Sequence, residues 1–120
     1  MNKETDSNVD TGKISLVCNL TERAMIDRLQ HLKEEIFNRN KITAIEELET
    51  GYSYRFDQPI DFSLKLIEFI NFERKCCPGE SFALSFDPDE GPIRMQIYGS
   101  QTIRDIQYEM ISSGELKELL

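Results

Sequence analysis

Tryptophan is absent from this chain, histidine occurs once, and no apolar run approaches the length of a membrane span. A single histidine leaves Ser-His-Asp or Cys-His catalysis dependent on His31 alone. His31 lies in an amphipathic stretch beside Leu32 with no partner in view, which suits a surface or boundary position. The missing apolar run excludes a transmembrane helix, which needs about 20 predominantly apolar residues. Met1 to Thr11 is polar and acidic, without the basic end and apolar stretch of a secretory leader, so the expected compartment is the cytoplasm. Positive charge is scarce as well: 14 Lys and Arg stand against 22 Asp and Glu, a formal net charge of −8. A field of that sign repels a phosphate lattice, and no basic stripe offsets it, so neither nucleic acid nor an anionic membrane is an expected partner. No G-x-G-x-x-G, Walker loop or H-E-x-x-H run is present, which leaves nucleotide binding and zinc hydrolysis without a local motif.

What the chain does have is the composition of one folded domain. Its 120 residues, 39% hydrophobic and 30% charged, are enough for a core that needs no staples. Residues 1–12 lack hydrophobic periodicity and are expected to be a disordered lead-in to a domain over 13–120. In KISLVCNL, Ile14, Leu16, Cys18 and Leu20 alternate as in a half-buried strand, which puts Cys18 on its inward face. Thr21 can cap the helix that follows, in which Met25, Leu29, Leu32 and Ile36 recur at helical spacing to about residue 38. KITAIEELETG fits either a strand or a connecting segment. Tyr52, Tyr54 and Phe56 then share one face of a strand, more suited to a core than to base stacking in so acidic a chain.

Asp61 is the expected cap of a long helix from Phe62 to Cys76. Leu66, Ile67, Phe69, Ile70 and Phe72 make it apolar over more than half its circumference, as in a central helix. Pro78-Gly79 ends it. Two alternating runs (Phe82, Leu84, Phe86 and Ile93, Met95, Ile97) flank DPDEG, which has hairpin chemistry. Ser100 can cap a last helix with Ile103, Ile106 and Met110 inward, and ELKELL then forms either an added helical turn or a small self-association surface, the second making a homo-oligomer. The order β-α-β-α-β-β-α, with one apolar face per strand, predicts an α+β two-layer sandwich: a mostly antiparallel sheet with helices on one face.

Three cysteines in a chain with no export signal argue for reduced thiols rather than a disulfide framework. Cys76 and Cys77 close the central helix, and Glu73 lies three and four residues before them on the same face. If that helix crosses the inner sheet face, Cys18 converges with the pair. Three thiolates suit a soft centre: Hg(II) or As(III) with three sulfurs, or Zn(II) or Cd(II) where Glu73, His31 or water adds a ligand. The same residues could instead run thiol redox or thiol-transfer chemistry on a small thiol-reactive ligand, through a Cys18–Cys76 or Cys18–Cys77 bridge. The helix dipole raises thiol pKa at a C-terminus, which counts against a bare thiolate unless a cation neutralises it. A third reading is a structural or protein-interaction domain whose cysteines pack as small hydrophobes, with Glu73 a solvated helix residue.

The strand ending in Cys18-Asn-Leu-Thr, the helix end Phe72-Glu-Arg-Lys-Cys-Cys-Pro78 and the hairpin carrying Gly91-Pro92 resemble a family of small, largely uncharacterised bacterial proteins. Its hallmarks are a lone first-strand cysteine and a later Glu-x-x-Cys-Cys-Pro-Phe signature. The likeness spans roughly Ile14 to Ile111 and carries over Cys18, Glu73, Cys76, Cys77 and Pro78. Some members lie near mercury or other heavy-metal resistance genes, but the resemblance lends no activity. Gly79, followed by Glu80, stands where the family has an aromatic, which opens that wall of the site.

Overall fold

A computed structural model describes residues 22–120. The expected first strand, the cap at Thr21 and the lead-in fall outside these residues. Helix α1 (Arg23–Ile36) is followed by strands β1 (Ile42–Leu48) and β2 (Gly51–Phe56). Helix α2 (Phe62–Cys76), strands β3 (Ser81–Phe86) and β4 (Ile93–Tyr98), helix α3 (Gln101–Ser112) and a 3₁₀ turn (Glu115–Leu119) complete the order. The four strands form one antiparallel sheet in the order β1-β2-β4-β3. The architecture is the expected α+β fold, and the undecided segment after residue 40 supplies an edge strand.

Register explains the core. Tyr54 pairs with Met95, Tyr52 with Ile97 and Phe56 with Ile93, so all six side chains emerge on one face, and all six are buried. The neighbours Arg55 and Arg94 face each other on the opposite side, as period-two alternation demands. The helices close over the apolar face. Phe37 meets both Tyr54 and Phe69 edge-on at 5.3 Å, Phe56 meets Phe62, and Phe69 meets Phe82. α1 lies against α2 through Leu29, Leu32 and Ile36 on its buried stripe, with Arg28–Glu68 and Lys65–Glu35 ion pairs along the exposed rim.

Several local expectations are corrected. The residue capping α1 is Glu22, without a side-chain cap bond, and α1 ends at Ile36, where Phe37 leaves helical geometry to reach Tyr54 and Phe69. Asp61 stands at the N-cap position of α2 but its side chain makes no cap bond; its backbone is already helical, whereas a capping residue is ordinarily extended. Ile67 is exposed, since α2 needs only one broad stripe for the sheet. In α3 the inward residues are Gln107 and Ile111, while Ile106 and Met110 are exposed. Polar Gln107 wins the inward place because it is satisfied there: it accepts from the Tyr54 hydroxyl at 2.7 Å and donates to the Ile97 carbonyl at 3.0 Å. Ser100 caps α3 as expected, accepting from Ile103 N–H. The tail forms a 3₁₀ turn that buries Leu116, the added-turn alternative for ELKELL.

Tyr54→Phe strands the Gln107 amide oxygen, so it should cost about 1–3 kcal/mol in urea denaturation. Ile106→Ser should stay within about 0.5 kcal/mol of wild type. A larger loss from Ile106→Ser than from Tyr54→Phe would reverse the assigned faces of α3.

Candidate functional site

The last turn of α2 carries the chemistry. Phe69 and Cys76 belong to the core-facing stripe, and Glu73 lies on that stripe between them at helical spacing. The carboxylate is therefore drawn inward by its neighbours, and only 4% of Glu73 is exposed. Cys76 closes the helix and is buried; Cys77 is its C-cap, half-buried, with its N–H bonded to the Glu73 carbonyl at 2.7 Å. The backbone turn thus brings both sulfurs beside the Glu73 side chain. Cys77 Sγ donates to Cys76 Sγ at 3.4 Å, and one donor atom from each of Glu73, Cys76 and Cys77 falls within 4.8 Å of the others. Cys76 is disulfide-bonded, whereas Cys77 is a free thiol. Cys18 lies outside the described residues, and His31 is exposed on α1.

Helix α2 ends through Gly79, whose φ of +95° is a left-handed conformation that side chains rarely tolerate. That conformation accounts for a glycine at this position. The turn delivers Glu80 to the site, a residue whose part the sequence did not disclose. Its only signal was position: the fourth residue past the helix end, just before the strand that begins at Ser81. Glu80 shares a hydrogen bond with Glu73, and burial, that bond and the Glu73 charge push its carboxyl up to about 9. A carboxyl that keeps its proton can donate to the carboxyl beside it. Burial, followed by the charges of Glu73 and Glu80, pushes the Cys77 thiol up to about 12.

Lys33, from α1, is the one basic group inside this cluster among the described residues. Its Nζ stands 3.4 Å from Glu73 Oε2, an ion pair that lacks hydrogen-bond geometry, and Lys33 is itself half-exposed. Glu73 Oε2 and Glu80 Oε1 are both buried without a hydrogen-bond partner. Buried polar atoms are seldom left so, and two from neighbouring carboxyls mark a place with spare acceptor capacity. These groups stand in the wall of a cavity of about 740 Å³, with Phe37, Phe69 and Ile97 among its apolar lining. A cluster of one free thiol, a second sulfur and two carboxyls, under-supplied with positive charge, can take up a soft cation or hold a proton; it is poorly suited to present a reactive thiolate at neutral pH.

Compared with known protein families, characterised proteins and solved structures, the chain matches none.

A carboxyl held at about 9 rather than near 4.5 favours the folded state while protonated, so its stabilisation is complete below the unfolded value and is lost as pH rises through the folded one. The urea midpoint should therefore fall between about pH 5 and about pH 9, and Glu80→Gln should flatten that fall. An unchanged slope in the variant would show that Glu80 carries no raised pKa.

Proposed function

We propose that this protein takes up a thiophilic metal or metalloid ion through Cys76 and Cys77, with Cys18 as the third sulfur and Glu73 in support. The observation that carries the reading is the placing of Glu73, Cys76 and Cys77 donor atoms within 4.8 Å of one another in a cluster short of positive charge. A soft cation supplies that charge, and it draws the proton from Cys77, which burial and the two carboxyls otherwise hold in place. The ion matches the donor set: sulfur selects Hg(II), As(III), Cd(II) or Zn(II) over hard cations, and the carboxylate fills a fourth position for those that want one.

The disulfide at Cys76 makes the site redox-gated in this proposal. In this proposal the bridged form of Cys76 is the closed, non-binding one. A low-molecular-weight thiol opens it, two such thiols giving up two electrons and two protons to the bridge and leaving as their own disulfide. Metal uptake by the reduced protein then releases one proton from each thiol that becomes a ligand. The working compartment would be a reducing one such as the cytoplasm, and the likeness to bacterial proteins near heavy-metal resistance genes agrees with that role. No helix among the described residues is long and apolar enough to cross a membrane.

A thiol-exchange function is the second reading, favoured by the free Cys77 sulfur 3.4 Å from the bridged Cys76 sulfur. Cys77 would attack Cys76 and release the other half of the bridge as a thiolate. The thiol at about 12 makes this slow at neutral pH, so metal uptake ranks first.

Titration of the phosphine-reduced protein with arsenite, Hg(II), Cd(II) and Zn(II), followed by intact mass and sulfur-to-metal absorption, separates the two. The reduced wild type should form a one-to-one complex, with affinity falling about tenfold or more in Cys18→Ser, Cys77→Ser and Glu73→Gln. The oxidised protein should bind far more weakly. Binding indifferent to oxidation or to all three substitutions would refute the site.

A further inference from the structure

Helix α2 turns a second face to solvent that the site does not use. Ile60, just before the helix, and Leu64 and Ile67 on it are 69%, 68% and 52% exposed, and their spacing sets them in one stripe. An isolated exposed aliphatic is ordinary, but three branched ones along one helix face and its lead-in are not. The stripe runs at its N-terminal end into a concave groove of about 760 Å³ whose lining includes Pro59, Ile60, Phe86 and Pro92, so the apolar surface continues off the helix. Phe86 is exposed as well, despite standing in the apolar register of β3.

Charge on this face is segregated. Asp61 lies near the N-terminal end of the stripe, beside a groove rim that carries Glu90 and an Asp87 paired with Arg94; Arg74 and Lys75 lie at the C-terminal end. Asp61, Arg74 and Lys75 are exposed, and none takes part in an ion pair among the described residues. A face that is acidic at one end, apolar in the middle and basic at the other complements itself when two copies meet antiparallel about a two-fold axis. The polarity also answers the obstacle that a chain of net charge −8 presents to self-association, because the local contacts pair opposite signs while the bulk of the negative charge lies elsewhere.

We propose that the outer face of α2 is the interface of a homodimer: Leu64 and Ile67 pack across the axis, and Asp61 of each copy meets Lys75 and Arg74 of the other. The occupant is a second copy of this chain rather than an unrelated partner because both charged ends find their complement on the same surface. A stripe of this width gives a dimer that forms and dissociates with concentration rather than an obligate one. The interface leaves the inward face of α2, with Glu73 and Cys76, unaltered, so it stands or falls independently of metal uptake.

Sedimentation velocity from about 5 to about 500 μM at low salt tests the interface. The full chain should pass from monomer to dimer over that range. Leu64→Glu should remain monomeric with an unchanged thermal midpoint, since the side chain is exposed in the monomer. Asp61→Lys and Lys75→Glu should each weaken dimerisation about tenfold, and the double variant should recover it. A chain monomeric throughout, or a dimer indifferent to Leu64→Glu, overturns the proposal; a dimer in which the two charge reversals add instead of compensating overturns the antiparallel arrangement.

Discussion

The burial of Glu73 is the constraint on which the rest of the site depends. A carboxylate inside a protein costs several kcal/mol unless charge or hydrogen bonds replace the water it loses. Here three partial remedies converge: a half-exposed lysine at 3.4 Å, a carboxyl that keeps its proton, and a thiol that keeps its own. None completes the shell, because Glu73 Oε2 still accepts no hydrogen bond. The local arrangement is thus a buried carboxyl with one half-exposed lysine beside it and two neighbours, Glu80 and Cys77, whose own ionisation is held back. A cation in the same place would relieve these constraints together, which is the physical ground of the proposed ion uptake.

That centre lies where the fold delivers it for reasons of packing. The stripe of α2 that must cover the sheet passes through Phe62, Leu66 and Phe69, and its continuation along the helix reaches Glu73 and Cys76. Phe69 is wedged between Phe37 and Phe82, so the last turn cannot rotate away and release the carboxylate to solvent. Gly99 contributes from the other side. A Cβ there would stand 2.6 Å from the Gly79 carbonyl, so the turn after α2 is packed closely on the junction of β4 and α3. The glycine turn, the helix end and the β4–α3 junction are therefore packed together beside the sulfurs.

Much of this was legible in the residues. Period-two alternation in YSYRF and in the runs around DPDEG located three strands because their apolar faces are unbroken. The segment at Ile42–Leu48 was not legible, since an edge strand with one buried residue and several exposed ones carries little alternation. The inward face of α3 was misjudged because hydrophobicity alone cannot see that Tyr54 would offer Gln107 a buried partner. At the site, the Glu-x-x-Cys-Cys spacing announced a shared helix face, and the structure brings those three side chains together. Glu80 and Lys33 went unseen, one hidden behind a glycine turn and the other brought in from a different helix by long-range packing. The expectation that all thiols are reduced is also corrected: Cys76 is disulfide-bonded, an outcome that the cysteine count does not determine.

The most direct test of the central claim is the X-ray absorption spectrum of the reduced protein loaded with one equivalent of Cd(II). The ion should show a mixed shell of sulfur and a lighter oxygen ligand, with a sulfur lost in Cys77→Ser and the oxygen contribution weakened in Glu73→Gln. A shell of oxygen and nitrogen alone, or a sulfur shell unchanged by both substitutions, would place the ion elsewhere and leave the buried carboxylate as a feature of packing.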